Sequence, residues 1–162
     1  MSPSSVEILL RLIDQAFNRK AWHGPNLRGS IRGVEPAVAG WRPAPGRRCI
    51  WEIVVHSAYW KYIIRRRLLG EKRGSFPLKG SNWFARPSVV SAENWREAVR
   101  LLDRTHERMR SAVAALSPND LSVKPAGSKV GNLDMITGIA AHDIYHAGQI
   151  QILKRLAGNV RA

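Results

Sequence analysis

His142-Asp143-Ile144-Tyr145-His146 sets two imidazoles four residues apart. On an α-helix that spacing puts both on one face, about one turn or ~6 Å apart, where a single metal ion can reach both. The position after the first histidine holds Asp143 and not the glutamate of the zinc-protease H-E-x-x-H pattern, so the pair does not bring that general base with it. A third ligand must come from another element, and His56 is the best candidate. Its neighbours at four-residue steps, Glu52 and Trp60, mark a semi-polar strip beside an apolar face. Three imidazoles on two helices form a facial set that leaves coordination positions for water or substrate, unlike a closed structural site. Neutral imidazole suits zinc, nickel, iron or copper, so the ligands alone do not choose the metal. The competing reading treats each histidine as a surface residue or a hydrogen-bonded core residue.

Other titratable residues have two readings each. His106 lies on an apolar seam and is either a reserve ligand or, more simply, a core histidine satisfied by one hydrogen bond. His23, in Trp22-His23-Gly24-Pro25, is a candidate lid residue or acid/base group, or a solvated loop histidine. Glu52 and Asp143 are candidates for orienting the ligands, although the positive end of a helix explains Glu52 equally well.

The elements that must position these residues are helical. Residues 4–17 read as a first helix, with Val6, Leu9, Leu10, Ile13 and Phe17 at three- and four-residue steps and Ser4 to Glu7 in the form of a capping box. Residues 18–47 hold Gly24-Pro25, Pro36 and Pro43-Ala44-Pro45-Gly46, too many breakers for a long regular element. Residues 48–69 form the second helix, stopped at Gly70, with Trp51, Val55, Ala58 and Tyr62 on its inner side. A second long connection, 71–90, leads to Ser91 as the cap of a third helix over 91–116. There Trp95, Val99, Leu102, His106, Met109, Val113 and Leu116 trace a bundle seam. A fourth helix runs from Asn132 through Leu133, Ile136, Ile139, Ile150 and Leu153 toward Gly158. The expected fold is an all-α four-helix bundle with long connections after helices 1 and 2.

The chain of 162 residues reads as one domain, 1–162, large enough to bury a core without disulfides. Cys49 is the only cysteine, which excludes an intramolecular disulfide or a zinc ribbon and suggests a reducing compartment. No run approaches the ~20 apolar residues of a membrane span, and Met1-Ser2-Pro3-Ser4 lacks the features of a signal peptide, so the expected location is cytoplasmic. The net charge of +14 raises the question of nucleic acid or another polyanion. Arg65, Arg66, Arg67, Lys72 and Arg73 form the densest patch. Arg96, Arg100, Arg104 and Arg108 alternate with Glu93, Glu97, Asp103 and Glu107, which reads more simply as a solvated face of intrahelical ion pairs. No nucleic-acid motif accompanies the charge, and an anionic small-molecule substrate accounts for it as well.

Trp51-Glu52-Ile53-Val54-Val55-His56-Ser57-Ala58-Tyr59-Trp60 and His142-Asp143-Ile144-Tyr145-His146-Ala147-Gly148-Gln149-Ile150 together resemble the two ligand-bearing segments of the DinB-like (DinB/YfiT) superfamily of metal-binding four-helix bundles. The Trp22-to-Leu27 loop and Trp41-Arg42-Pro43-Ala44-Pro45-Gly46 also look like one of its subgroups. The resemblance implies a nickel or zinc ion on His56, His142 and His146, and often a homodimer. It also implies chemistry of the kind such relatives perform: S-transfer or isomerisation with a low-molecular-weight thiol, or metal-dependent hydrolysis. None of these reactions needs a protein nucleophile, in agreement with the lack of any Ser/His/Asp or Cys/His set.

Overall fold

Ser4 starts the first helix as its sequence requires: its hydroxyl accepts from the Glu7 amide at 3.2 Å while the Glu7 carboxylate accepts from the Ser4 amide at 2.6 Å. Two otherwise orphaned donors are thereby satisfied, a contribution of about 1 kcal/mol. The computed structural model describes residues 2–159. In chain order it contains α1 (Ser5–Phe17), α2 (Leu27–Ser30), α3 (Pro36–Ala39), α4 (Ile50–Leu68), α5 (Ala92–Ala114), a 3-10 turn at Pro118–Ser122 and α6 (Asn132–Asn159). Four long helices and no strand among the described residues make this an all-α bundle.

Helix boundaries fall where the caps place them. Ser91 accepts from Asn94 at the start of α5, and Gly70 adopts φ 66° just past α4, a conformation that glycine takes without steric cost. Of the Arg65-Arg66-Arg67 run, Arg65 forms a two-pronged pair with the Glu71 carboxylate at 2.7 and 2.8 Å, and Arg66 donates to the Glu71 carbonyl. The connection between α1 and α4 is less irregular than its breakers suggest, because Asn26 caps α2 and Pro36 opens α3. That connection is pinned to the bundle: Trp95 donates to the Val34 carbonyl at 2.8 Å and Lys154 to the Ser30 carbonyl at 3.0 Å.

Helix α4 is the axis of the bundle and packs against α5, α6 and α3, while α1 packs against α5 and α6. Residues 50–58 of α4 are all buried. One core cluster gathers around that half, including Leu27, Val54, Leu102 and Ile150. A second joins α1 to α5 and α6 through Val6, Ile13, Met109 and Ile136. Leu133 departs from expectation: it is 45 % exposed, and Met135 takes the inner side of the first turn instead. No ion pair within α5 is formed among the described residues, and Asp103 pairs instead with Arg28 of α2 at 2.9 Å.

A polar group is embedded in this interior. Lys61 follows Val54 and Ala58 at four- and three-residue steps and is fully buried, with its ammonium 2.5 Å from Asp143 of α6. Its Nζ lies 5.0 Å from the Phe17 ring, which stacks on the buried His106 at 3.6 Å. Burial pushes the Lys61 ammonium down and the Asp143 carboxyl up, while their mutual attraction opposes both shifts. Removing one partner leaves an uncompensated group in the core, at a cost of about 3–5 kcal/mol, whereas replacing both with apolar residues is close to neutral. Lys61→Met should therefore lower the urea midpoint sharply, and adding Asp143→Leu should restore most of the loss. Additive destabilisation by the two substitutions would refute a coupled pair.

Candidate metal centre

Three imidazoles meet at one point between α4 and α6. His56 Nε2 and His146 Nε2 each lie 3.0 Å from His142 Nε2, and the ligating nitrogens of all three fall within 4.8 Å of one another. The four-residue spacing on α6 does what helical geometry requires, and the side-by-side packing of α4 and α6 supplies the third ring. His56 and His146 are buried and His142 is partly so.

Partners on the far side of the rings set their tautomers. His56 Nδ1 donates to the Asn82 carbonyl at 2.8 Å, and His146 Nδ1 donates to Gln149 Oε1 at 2.7 Å. The Gln149 amide is itself oriented by its Nε2 donating to the Tyr145 hydroxyl at 2.9 Å. Both arrangements leave a lone pair on Nε2. His142 Nδ1 is buried without a partner, and a proton on His142 Nε2 can be donated to only one of its two neighbours. One convergent lone pair is left facing nitrogen, and a cation resolves the conflict for all three. With N–metal bonds of ~2.0–2.1 Å, ligands at right angles stand ~3.0 Å apart and tetrahedral ligands ~3.4 Å apart. The two 3.0 Å separations suit ligands of one divalent ion, and a three-histidine set would leave further coordination positions free.

The segment between α4 and α5 closes over the site. Asn82 takes φ 61°, a left-handed conformation tolerated by asparagine, and this aims its carbonyl at His56 while its side chain accepts from Trp60 Nε1 at 3.0 Å. Trp83 stacks flat on His56 at 3.8 Å, and the Arg48 guanidinium sits 4.6 Å from the Trp83 ring centroid. Burial lowers all three histidines, holding His142 at about 3 and His146 at about 4, with mutual repulsion adding to the effect at His142. The imidazoles are neutral at physiological pH and ready to ligate.

The other candidates lie elsewhere. His106 is outside the cluster, with both ring nitrogens buried and unpartnered, and burial drives it down to about 2. It is a core histidine held by stacking and lacks the single hydrogen bond expected of it. His23 stands exposed in the turn after α1. Asp143 does not orient a histidine, because Lys61 takes its carboxylate. Glu52 serves the start of α4, accepting from the Cys49 amide at 3.0 Å and from Arg42 at 2.8 Å. Sequence reasoning missed Gln149, Asn82 and Trp83. Gln149 had a signal, at i+3 from His146 on the same helix, whereas Asn82 and Trp83 lie in a connection without periodicity.

The fold and the three-histidine cluster together define a class of helical bundle with a potential metal site at the junction of two helices. The chain matches the DinB superfamily over residues 21–150 and belongs to it. Comparisons with curated proteins and with solved structures gave no match.

The lowered histidines also contribute to the acid sensitivity of the metal-free protein. Unfolded histidine titrates near 6.5, so below that pH the unfolded chain binds protons that the folded chain excludes. Their contribution to stability is full above about 6.5 and falls as pH drops, by ~1.4 kcal/mol per unit for each excluded proton. Urea titrations in chelator between pH 4.5 and 7.5 should show this decline, and His106→Leu should reduce the slope by one proton. An unchanged slope would count against the buried neutral imidazole.

Proposed function

We propose that His56, His142 and His146 hold one divalent metal, nickel or zinc, and that the protein is a metal-dependent enzyme acting through a small thiol or water. The observation that carries this reading is the convergence of three Nε2 atoms, two of them fixed as acceptors by Asn82 and Gln149. Bound metal supplies Lewis acidity, which lowers the pKa of a thiol or water molecule and readies it for attack on an electrophile.

The chain's own residues supply the binding site. A cavity of about 380 Å³ reaches His146, with Ile53, Leu153 and Leu156 on its apolar wall and Arg47 and Arg48 beside it. The apolar wall excludes water from the body of a ligand, and the arginines attract an anionic group to the same place. Tyr145 and Gln149 face this cavity as a linked pair, so the residues that orient His146 also present polar groups to a ligand. S-transfer with a low-molecular-weight thiol is the favoured reaction and metal-dependent hydrolysis the alternative. His23 is retained as a loop acid/base or lid residue.

Elemental analysis of protein purified without a metal-affinity tag should find nickel or zinc near one per chain. His56→Ala and His142→Ala should each weaken metal binding at least 100-fold, and Gln149→Ala about 10–100-fold. Protein that carries no metal and takes up neither ion on titration would exclude the centre. Across a panel of thiols and electrophiles, equal activity of metal-free and loaded protein would exclude the enzyme, and full activity of His23→Ala would remove that residue from it. The homodimer implied by the family predicts a mass of two chains in sedimentation equilibrium, and a single-chain mass at micromolar concentration would reject it.

A further inference from the structure

A cavity lies apart from the histidines, in the groove between α4 and α5 under the segment 77–87. It measures about 650 Å³, a size suited to a drug-sized ligand. Trp51, Val55, Phe84 and Leu101 form an apolar wall. Lys79, Arg86, Arg100 and Arg104 bring four cationic groups to the same cavity, with Glu97 the one acid among its lining residues.

These charges are not consumed by the fold. Among the described residues, Lys79, Arg100 and Arg104 form no ion pair, and the acid that follows Arg100 by three residues, Asp103, is engaged by Arg28. Arg86 spends Nη1 on the carbonyls of Pro87 and Ser88, leaving its Nε buried and unpartnered. Trp51 Nε1, on a side chain only 6 % exposed in the residue as a whole, is likewise a buried donor without an acceptor. Buried polar atoms are paired in the great majority of cases, and the two orphaned donors, Arg86 Nε and Trp51 Nε1, are of the kind an anionic group accepts from.

We propose that this cavity is a second binding site, for an amphiphilic carboxylate whose apolar body packs on Trp51, Val55, Phe84 and Leu101 and whose anionic head meets Arg100 and Arg104. The head is set by the excess of cations over Glu97, and the body by the aromatic and aliphatic wall. The site is distinct from the cavity at His146, and the two share no lining residue. The turn from Asn82 to Phe84 runs between them, with Trp83 on His56 and Phe84 on the second cavity. Binding here does not depend on metal at the histidines.

Isothermal titration of the full chain with dodecanoate, dodecanol and acetate tests the assignment. One dodecanoate should bind per chain, at least tenfold tighter than dodecanol, and acetate should not bind measurably. Arg100→Glu with Arg104→Glu should weaken dodecanoate at least tenfold without changing the helical circular dichroism. Those two positions are exposed on α5, so the variant keeps its core. Ala98→Phe, which fills the cavity, should abolish binding, and the charge reversals keep the test decisive if that variant does not fold. Failure of dodecanoate to saturate, dodecanol binding equally well, or indifference to the charge reversals would overturn the proposal. So would loss of binding on reversing Arg47 and Arg48, which would place the ligand in the cavity at His146.

Discussion

Helix α4 has no solvent face over residues 50–58, and the rest of the molecule is arranged to make that possible. A helix buried on every side must be enclosed by other elements all round, so α5 and α6 flank it and the α1–α4 connection, with α3, covers its beginning. The enclosure brings His56 against α6 with a ring nitrogen aimed at His142. It also encloses Lys61, which needs a buried carboxylate at its end, and Asp143 provides one. A histidine cluster and a buried ion pair therefore arise from the same helix packed against the same neighbour, one residue apart on α6.

Electrostatics separates the two. At the histidines, burial disfavours the protonated rings and far-side partners fix the lone pairs of His56 and His146, so convergent ring nitrogens face one another with more acceptor capacity than donors. Arg48, stacked over Trp83 and hence over His56, adds repulsion against protonation of that ring. At Lys61 the charge is met inside the core, and the arrangement supplies orientation more than net stability. The two unpartnered nitrogens of His106 belong to the same interior and represent a cost offset by packing on Phe17.

The positive charge of the chain is likewise divided among roles. Arg65 and Arg66 are engaged at the end of α4 by Glu71, Arg28 and Arg110 hold carboxylates on neighbouring elements, and Arg42 reaches the Glu52 carboxylate at the start of α4. Arg47 and Arg48 stand at one cavity and Arg100 and Arg104 at another. Part of the net charge of +14 is thus placed at local ion pairs and cavities.

The four long helices, their caps at Ser4, Gly70 and Ser91, and the pairing of His142 with His146 were legible in the sequence, because each depends on spacing within one helix or on the residue at its end. The choice of His56 rested on its place in a semi-polar strip and on resemblance to the DinB-like family, since the meeting of two helices leaves no periodic trace in either. Glu52 and Asp143 show the limit clearly. Local chemistry allowed both to orient ligands, but Glu52 went to a helix start and Asp143 to a buried lysine. Lys61, Asn82, Trp83 and the cavity under residues 77–87 emerged only in three dimensions. Each depends on contacts between segments more than 20 residues apart, which side-chain spacing along the chain does not encode.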